Sequence, residues 1–183
     1  PDEKVGCQVL SSFCYIGGFT EERGLADVIK SLECLDSEID LVLAGEFQGD
    51  GFERRVKKLS SWSRVKNKGW VGRSEVRDIM KASFAGIVTL HPTSTYIVSL
   101  PVKMFEYMAS GIPVIASDFD LWRDIILDNN CGLVVDPCAP EHIASAVKYL
   151  YANPDEAKAM GENGRLAFEK KYSWESEEKK LIS

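Results

Sequence analysis

Lys103 and Glu106 stand one helical turn apart in SLPVKMFEYMASGIPVIAS, residues 99–117. That spacing puts an ammonium and a carboxylate on one face of the helix that the stretch predicts. Leu100-Pro101 opens the helix and Gly111 closes it. Proline suits a first turn whose N–H groups lack partners, and glycine suits the residue just past the end. Unpaired amides and the helix dipole favour an anion there. A phosphate against the front of the helix, with Lys103 beside it and a pair of sugar hydroxyls donating to Glu106, would use both side chains. The plainer reading is a solvated Lys–Glu pair worth about 0.3 kcal/mol.

Two further loops carry residues of the same kind. In IGGFTEERGL, residues 16–25, Gly17 and Gly18 let backbone approach an anion, and Arg23 adds charge just before a helix that begins near Gly24 or Leu25. A glycine-rich turn with a solvated arginine fits the same residues. In KGWVGRSEVRDIM, residues 68–80, Gly69 and Gly72 flank Trp70 and Val71, and Ser74 reads as the N-cap of a helix carrying Val76, Ile79 and Met80. The Trp-Val pair either meets a nucleobase edge or ends an edge strand tucked into the core. The spacing of Gly17, Gly18 and Gly24 fails G-x-G-x-x-G, and the loop lacks the G-K-[ST] ending of a P-loop, which sets aside dinucleotide and P-loop enzymes.

These loops need elements to hold them. Short apolar runs alternate with helical patterns along the whole chain, the signature of a parallel sheet covered on both faces. Strands are expected at 13–17, 39–45, more weakly 65–70, then 85–90, 113–117 and 132–136. Leu25, Val28, Ile29, Leu32 and Leu35 make one amphipathic stripe, and Ile143, Ala146, Val147, Leu150 and Tyr151 another. All of these are core positions. After Asn153-Pro154, one or two charged helices are expected on the outside, ending in the solvated face of residues 175–180. The reading is α/β: a Rossmann-like doubly wound parallel sheet of about six strands, in one domain over 1–183. In such a sheet ligands bind beyond the carboxyl ends of the strands, where the three loops lie.

Composition narrows the partners. Lys plus Arg number 22 against 28 Asp plus Glu, a net charge of -6, so there is no basic footprint for nucleic acid. Five cysteines, Cys7, Cys14, Cys34, Cys131 and Cys138, form no C-x-x-C pair and read as free thiols in a reducing compartment. With His91 and His142 as the two histidines, no zinc site is expected. No apolar run approaches the roughly 20 residues of a membrane span. A start at Pro1 rather than Met suggests a piece of a longer protein.

Taken together, CYIGGFTEERGLADVIKSL, AGEF, GWVGRSEVRDIM, SLPVKMFEYMASGIPVIAS and NNCGLVVDP resemble the C-terminal domain of glycosyltransferase family 4, the group 1 glycosyltransferases of the GT-B fold. The form SLP-x-K-x-x-EYMA-x-G-x-PVIA is similar to a branch of bacterial polysaccharide-assembly transferases. The resemblance implies a domain that binds a nucleotide-diphospho-sugar, UDP- or GDP-linked. Glu106 matches the second Glu of the family's Glu, seven residues, Glu motif and would accept the ribose hydroxyls; the first Glu, which contacts the donor sugar, falls at Val98. Arg23 stands where the family often has Lys and inherits the diphosphate, while Gly18 stands where it often has Arg, leaving Lys103 to supply charge. Ser99 and Leu100 match positions whose amides face the diphosphate, and Trp70 and Val71 match the base contact.

The implied reaction is hexosyl transfer with retention at the anomeric carbon, in which the leaving diphosphate helps take the acceptor's proton, without metal or cofactor. An N-terminal acceptor domain of the same full-length chain would complete the enzyme. Its acceptor would be a saccharide or a lipid-linked one at the membrane surface, with the protein cytoplasmic or peripheral at the inner face of the cell membrane. Catalytic residues are unassigned, and residues 1–183 alone are expected to bind donor without turnover. Two alternatives remain: a nucleotide-sugar 2-epimerase, which product analysis would reveal, and a non-catalytic GT-B domain used for partner binding, which would bind no nucleotide.

Overall fold

The computed structural model describes residues 10–172. Cys7 and the expected charged face at 175–180 lie outside them. Six strands form one parallel sheet: β1 (Ser12–Ile16), β2 (Asp40–Ala44), β3 (Val65–Asn67), β4 (Gly86–Val88), β5 (Val114–Ser117) and β6 (Gly132–Val135), in spatial order β3-β2-β1-β4-β5-β6. All five pairings are parallel, and the order reverses between β1 and β4. This doubly wound α/β architecture agrees with the sequence reading in strand number and position. Buried on both faces, β1, β2, β4, β5 and β6 are apolar at successive positions, which is why they stand out as short hydrophobic runs, while edge strand β3 exposes Lys66 and Asn67.

Alternate strand residues serve two cores. On one face Phe13, Tyr15, Leu41, Leu43, Ile87 and Ile115 pack beneath α1 (Leu25–Ser31), α2 (Asp50–Val56) and α6 (Pro140–Ala152). On the other, Cys14, Ile16, Val42, Val88, Val114 and Ala116 meet α3 (Arg73–Lys81), α4 (Val102–Ser110) and α5 (Asp120–Asp128). The expected stripes are buried, with Val76 and Tyr151 at the half-buried margins. Cys14 and Cys131 are buried thiols, Cys34 and Cys138 exposed ones, and all four are free.

Three local expectations are corrected. Pro101 is not inside α4 but precedes it in extended backbone (φ -77°, ψ 126°), so the helix starts at Val102. Gly72 rather than Ser74 precedes α3, which places Ser74 within its first turn. The helix after Pro154, α7 (Pro154–Ala167), does not merely lie outside. Ala157, Gly161, Gly164 and Ala167 are buried, and a Cβ on Gly161 would stand 2.1 Å from the Gly111 carbonyl oxygen. A row of small residues lets α7 close on the end of α4 despite its charged outer face. No helix among the described residues is long and apolar enough to cross a membrane.

Candidate functional site

The reversal of strand order leaves β1 and β4 free to part at their carboxyl ends. They share the single register pair Cys14 with Gly86, whereas β1 and β2 share five pairs. Beyond that pair opens a cavity of about 270 Å³. Its floor is Tyr15, Ile16, Gly17, Ile87, Val88 and Leu90; Arg23 stands on one side, and Tyr96, Ser99, Pro101, Val102 and Lys103 on the other.

The Arg23 side is tied down by bonds between elements. Buried Tyr15 donates its hydroxyl to the Arg23 carbonyl at 3.2 Å, with the Gly18 carbonyl at 3.3 Å as its alternative. The His91 amide donates to the Glu22 carbonyl at 2.9 Å, and His91 Nε2 lies 2.8 Å from Asp27 Oδ2 on α1. Gly24, at φ 70°, sits so close to β4 that a Cβ would come within 2.0 Å of the Thr89 carbonyl oxygen. The Arg23 guanidinium reaches back over Gly17, 3.7 Å from where a Cβ would be. Among the described residues no carboxylate lies within ion-pair distance of it.

The glycines act differently from the expectation. The Gly17 amide is not offered to an anion, because it donates to Ala44 at 3.0 Å and prolongs the β1–β2 ladder. Its carbonyl instead passes so close to Gly45 that a Cβ there would be 1.8 Å away. Beside Gly18, Gln48 Nε2 would stand 2.9 Å from an added Cβ, so the glutamine amide fills the space that a larger side chain would enter.

Opposite, residues 92–101 fold mainly on themselves. The Ser99 amide donates to the Tyr96 carbonyl at 3.3 Å, so it closes a local turn instead of facing outward as expected. A reach from α5 fixes this turn: buried Trp122 donates Nε1–H to the Ser99 carbonyl at 2.6 Å. Val102 and Lys103 bring the first turn of α4 to the cavity wall. Lys103 Nζ lies 2.5 Å from Glu106 Oε2, and both side chains are partly exposed. Glu106 thus stands behind Lys103, one turn from the wall.

Gly17, Arg23, Ser99 and Lys103 therefore share one cavity, Glu106 adjoins it through Lys103, and Gly18 flanks the Arg23 loop. Leu100, Trp70 and Val71 stand outside its lining. Lys68 and Gly69 extend the edge of the sheet beside β2, through Lys68 N–H to Leu43 and Gly45 N–H to Gly69. Trp70 then leaves the sheet and is 74% exposed, which overturns the tucked-strand reading for it, while Val71 packs against the α3–α4 face of the core. Val98 is equally uncovered. Among the described residues no cluster of His, Cys, Asp or Glu could hold a metal ion.

Sequence reasoning passed over Tyr15, Tyr96, Tyr107 and Trp122. Burial pushes the Tyr15 and Tyr107 phenols well above their ordinary value, so both remain neutral hydrogen-bonding groups. In sequence Tyr15 is an aromatic residue of a strand, Tyr107 and Trp122 are aromatic residues of amphipathic helices and Tyr96 belongs to a loop, and their polar ends announce themselves only once the fold supplies partners.

A parallel sheet wound in this order, with its cavity at the switch point, is the architecture of the C-terminal domain of GT-B transferases. The profile of the family Glycosyl transferases group 1 matches residues 11–167, and the chain belongs to that family. It is 26% identical over 167 residues to an uncharacterized glycosyltransferase of Methanocaldococcus jannaschii, covering 88% of this chain and 44% of that protein. It is 23% identical over 165 residues to the D-rhamnosyltransferase WbpZ of Pseudomonas aeruginosa, covering 88% and 41%. The chain thus spans under half the length of these curated relatives. Among solved structures, HepE of Anabaena in complex with UDP superposes with a TM-score of 0.82 at 13% identity, over 95% of this chain and 48% of that one. These likenesses at low identity concern the fold.

Proposed function

We propose that this chain is the donor-binding part of a glycosyltransferase that takes a nucleoside-diphosphate sugar. The observation that carries the reading is the meeting of Arg23, which has no carboxylate partner among the described residues, with Lys103 and the first turn of α4 on one cavity at the switch point. A guanidinium fork can grip two diphosphate oxygens, and the helix N-terminus adds partial positive charge. Glu106 would accept the ribose hydroxyls after turning from Lys103, and exposed Trp70 with Val71 would meet the base. Gly17 and Gly18 keep the loop low beside the diphosphate, and Ser99 and Leu100 form the turn that delivers α4. The UDP bound by the similarly folded HepE supports a uridine nucleotide as the first ligand to try.

The reaction is hexosyl transfer with retention, in which the departing diphosphate receives the acceptor's proton and the protein stabilises charge instead of supplying a nucleophile. No cofactor enters this scheme. An acceptor domain elsewhere in the full-length protein would present a saccharide or lipid-linked acceptor at the inner face of the cell membrane, in assembly of a polysaccharide or glycoconjugate. Titration calorimetry of the chain with UDP, GDP and uridine tests the donor site. Diphosphates are expected to bind without added magnesium and more tightly than uridine; no heat with either diphosphate at millimolar concentration would refute the reading.

A further inference from the structure

The β1–β4 ladder contains an inserted side chain. With Cys14 opposite Gly86 and the Cys14 amide donating to Ala85, a continuing parallel ladder would next join the Ile16 amide to the Ile87 carbonyl. Instead, the Ile16 amide donates to Tyr107 Oη at 3.1 Å, and the same hydroxyl donates to the Ile87 carbonyl at 3.3 Å. One phenol replaces one direct bond with two, which requires the strand ends to stand apart by the width of an oxygen atom. Ile16 and Ile87 are floor residues of the cavity, while Tyr107 lies fully buried behind them.

The ring can reach this position because Gly86 has no side chain: a Cβ there would fall 2.4 Å from the Tyr107 ring. Gly86 and Tyr107 therefore work as one device, slot and wedge. The wedge belongs to α4, next in sequence to Glu106 and one turn from Lys103, so the same bonds also set where the helix stands relative to the floor.

We infer that Tyr107 is a positioning residue of the donor site, its hydroxyl wedging β1 from β4 to keep the cavity between Arg23 and Lys103 open. The inference rests on the donor-site reading for its ligand and on the ladder geometry for its mechanism. The test replaces Tyr107→Phe in the full chain, which keeps the ring and removes only the hydroxyl, and reads both UDP affinity and structure. The expected result is a folded protein that binds UDP at least tenfold more weakly and uridine unchanged. Its crystal structure should show Ile16 N and Ile87 O zipped to a direct bond of about 2.9 Å.

Incorporating p-aminophenylalanine at position 107 restores a polar wedge and is expected to recover UDP binding. Should Tyr107→Phe not fold, this second variant decides: retained UDP affinity supports the wedge, and tenfold loss despite a retained polar group overturns it. A folded Tyr107→Phe that binds UDP within twofold of wild type also overturns it. If wild type binds no diphosphate, the donor reading has failed by itself. The wedge then stands or falls on the Phe variant's structure, zipped strands supporting it and strands still parted refuting it.

Discussion

On one side of the cavity the loop from Gly17 to Gly24 is bonded to β2 through Ala44 and to the segment after β4 through His91, which itself pairs with Asp27 on α1, and Gly24 packs closely on Thr89; on the other, residues 92–101 are held mostly by their own turns. Trp122 supplies the bond from a distant element on that second side, and Ile97, Val98, Leu100 and Val102 there are exposed. The fastened wall carries Arg23, whose backbone is held and whose guanidinium has no ion pair among the described residues to give up before an anion arrives. Preorganised charge loses little to rearrangement on binding. The open wall carries Lys103 already engaged with Glu106, so its contribution requires a pair to be opened first. Affinity for diphosphate should therefore come mainly from the fastened wall.

Glycine replacement would break this comparison most forcefully. Gly24 combines a left-handed φ of 70° with a Cβ position 2.0 Å from the Thr89 carbonyl oxygen, whereas Gly69, at φ 66°, has nothing within 4 Å. Gly69→Ala should cost the left-handed penalty alone, about 1–2 kcal/mol. Gly24→Ala adds a clash with backbone that cannot swing away, for roughly 4 kcal/mol in all. Urea unfolding of the two variants measures the difference. Equal losses would show that the first loop is not pinned to β4.

Arg23→Ala tests the same wall through binding. It should weaken a nucleoside diphosphate by about 1.5–3 kcal/mol, the range of a charge-assisted bond, and leave the nucleoside nearly unchanged. Fold and stability should hold, since Arg23 has no carboxylate partner among the described residues to orphan. Calorimetry with UDP and uridine separates the terms. Parallel losses for both ligands would make Arg23 a packing residue.

The contrast between the walls also explains what could be read from the sequence. Five of the six strands and the buried stripes were legible because burial on both faces of a parallel sheet leaves compact apolar runs such as DLVLA and VIAS, whereas edge strand β3, VKN, with Lys66 and Asn67 exposed, gave only a weak signal. Arg23 and Lys103 were legible as charges beside predicted helix starts. The direction of the Gly17 and Ser99 amides was not, since it depends on which carbonyl lies opposite after folding, Ala44 in one case and Tyr96 in the other. Nor were Tyr107 and Trp122, whose partners lie 91 and 23 residues away. The burial of α7 was hidden by charged neighbours around a spaced row of Ala and Gly.

The smallest expected effect concerns the open wall. Glu106 lies 2.5 Å from Lys103 with its side chain 40% exposed, a geometry that suits both a surface ion pair and a carboxylate waiting for ribose hydroxyls. Glu106→Gln should change stability by less than about 1 kcal/mol in either case, because an exposed pair is worth little. Binding tells the two apart. A carboxylate that accepts both hydroxyls loses strength when neutralised, so the variant should bind UDP more weakly by about 1 kcal/mol. Toward 2′-deoxy-UDP the loss should be smaller, since that ligand has already lost one of the two bonds. The coupling between the substitution and the 2′-hydroxyl isolates the contact from any change in the Lys103 pairing, which both ligands share. A coupling near zero would leave Glu106 as the partner of Lys103 alone and confine recognition still more closely to the fastened wall.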